Sequence, residues 1–213
     1  MRAAAGSLLA LLSLAAAAGD LTVTVRDGDG RPVADAVVVL DGGPPHAPAA
    51  RPPRAQIHQR NQAFVPQVLA VRVGTVVEFP NDDPVLHHVY SFSPAKTFDL
   101  RLYGQAEVPT VIFDKPGVVA LGCNIHDSMR GYVYVTESPL HAVTDASGTA
   151  RFNALPEGEY SLSAWHARLK DGALPPPIQF SQPTADNEAI EFTVSLRRSR
   201  AGELDEHERG NYR

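Results

Sequence analysis

The chain has 213 residues, 44% of them hydrophobic and 20% charged, with a formal net charge of −5. That length admits one large or two small domains. The mild negative charge and scattered arginines exclude a nucleic-acid footprint, and a lone cysteine, Cys123, excludes an internal disulfide and leaves a free thiol or a ligand.

In chain order, Arg2 is followed by a Leu/Ala-rich run over 7–18 and by the small residues Ala16-Ala17-Ala18-Gly19. A positive start, an apolar stretch too short to span a bilayer comfortably and a small-residue cleavage region predict a secretory signal peptide over 1–19. The mature protein is then periplasmic or secreted, with no membrane span after cleavage. Beyond it, valine-rich alternating runs are broken by Gly, Pro, Asp and Asn, a period of two that predicts an all-β chain. Strands are expected at 21–25, 37–40, 68–73, 76–79, 88–91, 110–113, 118–122, 132–135, 150–153 and 160–165. Short strands with frequent turn signals favour a sandwich or barrel. A Pro-, Ala- and Gly-rich linker is expected over 43–54, shorter breaks at Ser138-Pro139 and Pro175-Pro176-Pro177, and a disordered charged tail over 197–213.

Two distant segments share a style. Val25-Arg26-Asp27-Gly28-Asp29-Gly30-Arg31-Pro32-Val33-Ala34-Asp35-Ala36-Val37 reads as strand, Gly-rich turn, strand. Thr144-Asp145-Ala146-Ser147-Gly148, Phe152 and Leu155-Pro156-Glu157-Gly158-Glu159-Tyr160-Ser161-Leu162 continue it about 100 residues later. Together they resemble the carboxypeptidase regulatory-like, transthyretin-like β-sandwich module. The resemblance implies a discontinuous small sandwich over 20–42 and 137–196, with a second domain over 55–136 inserted in it, insertion at a loop being a tolerated way to combine domains.

The middle segment carries the chemistry. Cys123-Asn124-Ile125-His126-Asp127-Ser128-Met129 places the lone cysteine, a histidine and the only methionine besides the initiator within seven residues. Thiolate and thioether are soft ligands and imidazole suits copper; one more histidine completes a His2Cys set with a weak axial Met. Upstream, Phe79-Pro80-Asn81-Asp82-Asp83-Pro84-Val85-Leu86-His87-His88-Val89 ends one strand, turns and starts another, with His87 thirty-six residues before Cys123. Other readings stay open on the residues alone. C-x-x-H is half a zinc site, without a second Cys pair. A nucleophilic cysteine needs an electropositive helix start, whereas Cys123 ends an apolar strand. A structural buried thiol leaves the spacing of Met129 and the histidines unaccounted for. Asp82 and Asp83 read most simply as turn caps, His58 as an edge-strand polar residue, and Trp165 as a core or interdomain plug.

Over 55–136 the sequence resembles the cupredoxins, the blue-copper electron carriers such as plastocyanin and amicyanin. The likeness is carried by Ala63-Phe64-Val65-Pro66, Val71-Arg72-Val73-Gly74, Phe79-x-Asn81 with His87-x-Val89, and Pro116-Gly117 leading to C-x-x-H-x-x-M at the short, amicyanin-like length. It is similar also to exported proteins labelled methylamine utilisation proteins. The resemblance implies an all-β, Greek-key cupredoxin sandwich and one copper held by His87, Cys123, His126 and Met129. The pattern departs at His88, where the family has an asparagine that ties the ligand loops; the His88 ring is expected to make part of that tie or to compete as ligand.

The expectation is an exported type-1 copper protein, not an enzyme, passing single electrons to a periplasmic partner such as a c-type cytochrome or dehydrogenase. Multicopper oxidases flank the cysteine with histidines and use H-x-H pairs; here Gly122 and Asn124 flank Cys123 and no H-x-H occurs. The rival expectation is a cell-envelope binding module for a glycan or protein ligand, with a structural or sensory copper.

Overall fold

The computed structural model describes residues 18–45, 51–183 and 188–197. The body of the expected signal peptide, the middle of the linker and all but the first residue of the expected tail lie outside the described residues. The chain is all-β, its sole helical turn a 3-10 segment at Lys170–Gly172 among the described residues.

Two strands open the chain, β1 (Ala18–Asp27) and β2 (Val37–Gly42). Ten follow in the middle: β3 (Arg54–Gln56), β4 (His58–Arg60), β5 (Ala63–Val65), β6 (Val68–Arg72), β7 (Thr75–Glu78), β8 (His87–Ser93), β9 (Lys96–Tyr103), β10 (Thr110–Phe113), β11 (Gly117–Cys123) and β12 (Arg130–Thr136). Five close it: β13 (Leu140–Val143), β14 (Thr149–Pro156), β15 (Gly158–Trp165), β16 (Ile178–Gln182) and β17 (Glu188–Val194). Ala18 and Gly19, in the expected cleavage region, pair with Pro156 and Leu155 and so belong to β1. Arg54 already belongs to β3 rather than to the linker, and the Arg197 N–H donates to Arg168 O at 2.8 Å, which ties the first residue of the expected tail to the body.

The first and last strands build two sheets, in the orders β14-β1-β17 and β13-β2-β15-β16. Alternation explains their shared core: Leu21, Val23 and Val25 of β1 turn inward, as do Tyr160, Leu162 and Ala164 of β15. Thr144 pins the two halves, its buried hydroxyl accepting the Ala36 N–H at 2.9 Å and donating to Val33 O at 2.7 Å. At the tip of the second turn, Gly148 has φ +74° and its carbonyl accepts the Val25 N–H at 2.7 Å. A Cβ there would lie 2.6 Å from Val25 O, so both the left-handed backbone and the close approach require glycine.

Among the described residues the middle strands pair only with one another: a five-stranded sheet β6-β12-β11-β8-β9, a three-stranded sheet β10-β7-β3 and the β4-β5 ribbon. Their inward side chains, among them Val77, Phe79, Val89, Phe113, Val119 and Val133, form a second core.

The two cores meet through a third contact. In β2 the run Val37-Val38-Val39-Leu40 is buried throughout. Val38 and Leu40 face the first core, while Val37 and Val39 face Val68 with Tyr132, Tyr134 and Trp165 around them. A strand covered on both faces reads as a continuous apolar run rather than an alternating one. The Trp165 ring lies 5.7 Å from Tyr132 and 5.5 Å from Tyr134, so it fills the seam between the outer sheet and β12.

Candidate metal centre

The loop from β7 to β8 is built by its polar residues. The Asn81 amide donates to Val85 O at 2.8 Å and to Tyr103 O at 3.2 Å, and its Oδ1 accepts the Asp83 N–H at 2.9 Å. Beneath it the Tyr103 hydroxyl is shared between Gln59 Oε1 at 2.6 Å and Phe79 O at 3.0 Å. Burial pushes the pKa of this phenol well above its ordinary value, so it stays a neutral donor. The loop delivers His87 as the first residue of β8. The register of β8 against β9 shifts between His87 and Val89, and His87 and Val89 both end inward, fully buried, with His88 facing out.

β11 runs antiparallel to β8 and ends on Cys123, opposite Val89 and 3% exposed. The chain then turns sharply, the Met129 N–H donating to His126 O at 3.0 Å, while the Asn124 N–H donates to His88 O at 3.0 Å. This second bond joins the two loops. The tie expected from the His88 ring is therefore made by the His88 carbonyl. The ring itself turns away and pairs with Asp99 through Nε2, because strand alternation puts it on the face opposite His87.

Three donor atoms meet. His87 Nδ1 lies 3.2 Å from His126 Nδ1, and Cys123 Sγ lies 3.7 Å from His87 Nδ1 and 3.6 Å from His126 Nδ1. Metal–nitrogen bonds of about 2.0–2.1 Å and metal–sulfur bonds of about 2.3 Å, spread trigonally, place nitrogens about 3.5 Å apart and sulfur about 3.8 Å from each. The observed triangle has that size, so one ion fits all three donors without moving a strand. Met129 is buried in the core that contains Cys123, at 1% exposure. His126 is half-buried, and exposed Val85, Leu86 and Ile125 lie on the loops that carry His87 and His126.

Asp83 is the residue that sequence reasoning undervalues. Its carboxylate accepts the Asn61 N–H at 2.6 Å, the Gln62 N–H at 2.9 Å and His87 Nε2 at 2.9 Å, and it is 6% exposed. Burial raises its pKa, but the bonds from Gln62, His87 and Asn61 outweigh this and hold it below the usual carboxylate value. Its neighbour Asp82 turns the other way, to His58 Nδ1 and Arg60, each at 2.8 Å. His58 is thus a surface partner, away from the centre. The signal for Asp83 is its position four residues before His87, which only the loop path converts into contact.

No family model and no curated protein matches the chain. Among solved structures it is similar to a purple cupredoxin from Nitrosopumilus maritimus, at 26% identity over 38% of this chain and 99% of that one, with a TM-score of 0.36. It is similar also to the copper-containing nitrite reductase from Thermus scotoductus, at 28% identity over 46% of this chain and 25% of that one, with a TM-score of 0.39. A reduced variant of amicyanin is 20% identical over 38% of this chain and 80% of that one, with a TM-score of 0.36.

Proposed function

We propose that this chain is an exported type-1 copper protein that carries single electrons between periplasmic redox partners. The observation that supports it most is the triangle of two imidazole nitrogens and one thiol sulfur with sides of 3.2–3.7 Å. In this reading His87, Cys123 and His126 would hold one copper ion, and Met129, buried in the same core as Cys123, would add a weak soft donor. The bound ion supplies a centre that gains and loses one electron. The chain's own residues do the rest. Paired strands β8 and β11 hold His87 and Cys123, with Cys123 opposite Val89, and backbone bonds at Asn124 and Met129 pin the loop that carries His126. Donors held this firmly need little rearrangement when the charge on the centre changes. Burial of His87 and Cys123 keeps water from the thiolate, while half-buried His126 is the edge through which electrons pass. Val85, Leu86 and Ile125 give that edge a small apolar rim, which suits a brief encounter with a c-type cytochrome or dehydrogenase. We read the outer sheets as a carboxypeptidase regulatory-like module that carries this unit. Among the described residues no helix is long and apolar enough to cross a membrane.

Copper titration of the purified protein, followed by visible and electron paramagnetic resonance spectra, tests the reading. An intense visible band is expected; it should vanish in Cys123→Ser, whereas Met129→Gln should keep copper and shift the potential. Stopped-flow oxidation and reduction by an exported cytochrome should be fast and dependent on ionic strength. A copper centre that never cycles, in a protein that binds a glycan or surface protein tightly, would support the binding-module reading instead.

A further inference from the structure

We infer that Asp83 is the positioning residue of the metal centre: its buried carboxylate holds the His87 imidazole with the proton on Nε2 and the lone pair of Nδ1 facing Cys123 and His126. The inference rests on the copper reading above and deepens it. An ionised carboxylate can only accept, so the 2.9 Å contact with Nε2 requires Nε2 to carry a proton. In a neutral imidazole that leaves Nδ1 bare, and Nδ1 is the atom of His87 that lies in the donor triangle.

The two histidines differ in how they can reach that state. His126 is half-buried and can exchange ring protons with solvent, whereas His87 has no exposed surface. Its tautomer must therefore be set by an internal partner. The partner is itself fixed: Asn61 and Gln62, both at positive φ, aim consecutive N–H groups at Asp83, and Asn81 holds the Asp83 N–H. Ligand histidines commonly donate their second N–H to such an acceptor, and loss of it costs 10–100-fold in metal affinity. A full negative charge one ring away also favours the more highly charged cupric ion over the cuprous one.

The first experiment uses the copper-free wild-type protein. Long-range nitrogen–proton correlation spectra of the His87 ring, at a pH where imidazoles are neutral, should show the Nε2–H tautomer; an Nδ1–H tautomer overturns the inference without any variant. The second uses copper-loaded D83N, read by spectroelectrochemical titration. The ratio of cupric to cuprous affinity should fall about tenfold, which for one electron is a rise of about 59 mV. D82N, which removes an equal charge from the adjacent surface position, should leave the potential in place. A blue D83N with the wild-type potential, or equal shifts in both variants, overturns the role assigned to Asp83. A wild-type protein that binds copper without an intense visible band overturns the copper reading instead, and the tautomer spectrum still reports on Asp83.

Discussion

At the scale of single residues, burial sorts the histidines into different jobs. His166 is 7% exposed, and its Nδ1 accepts the Arg168 N–H at 3.1 Å. Burial, with a smaller contribution from the Arg168 charge, pushes its pKa down from 6.5 to about 4. The folded state thus refuses a proton that the unfolded chain accepts between these values. Stability from this group is complete above pH 6.5 and is lost as pH falls toward 4, by on the order of 3 kcal/mol. Urea unfolding across that window should show the loss in the wild type and a flatter profile in His166→Asn, which keeps an acceptor but cannot charge. The residues of the donor triangle were legible for a related reason. Cysteine and methionine are scarce here, so the histidine set between them in Cys123, His126 and Met129 stands out. The choice of His87 over His88 follows from alternation about Val89. Asp83 was not legible, because two adjacent aspartates on a turn give no sign of which one faces inward.

At the scale of elements, strands with one clean apolar face were the easiest to read. β2, β10 and β15 stand where the valine and aromatic patterns put them, within a residue or two at each end. β9 and β17 lie outside the strands expected from the sequence. Phe98, Leu100 and Leu102 alternate in β9, and Ile190 and Phe192 in β17, but charged residues between them blur the period, and both strands lie at sheet edges. Their partners, β8 and β1, supply an order that their own sequences do not. The seam between β15 and β12 was legible only as a lone tryptophan. Trp165 presses on Tyr132 and Tyr134 at 5.7 and 5.5 Å, so Trp165→Ala should cost about 2–3 kcal/mol, somewhat less than truncation in a full core. Calorimetry should then resolve two unfolding transitions where the wild type shows one. The visible band of the copper-loaded protein should stay in place, because Cys123 packs in the inner core and Trp165 in the separate seam cluster. A single transition lowered as a whole would mean that the two cores are coupled by more than this ring.

At the scale of the whole molecule, the connection of the two cores sets a timetable. β1, at the start of the chain, lies between β14 and β17, both from its far end, and Leu21 pairs with Glu188. Every strand that bounds the donor triangle finds its partners inside residues 54–136. Contacts between distant segments form late, because closing long loops costs entropy before anything is gained. The middle strands should therefore gather first, with the outer sheets left open until the last strand arrives. Pulse-labelled hydrogen exchange during refolding should show amides of β8, β11 and β12 protected before those of β1; the reverse order would contradict this timetable. As the chain emerges from synthesis in its own direction, the triangle of His87, Cys123 and His126 can be complete while β1 still waits for β17. The lone thiol is then already packed within its core during the interval when the rest of the chain is open to wrong pairings with its neighbours.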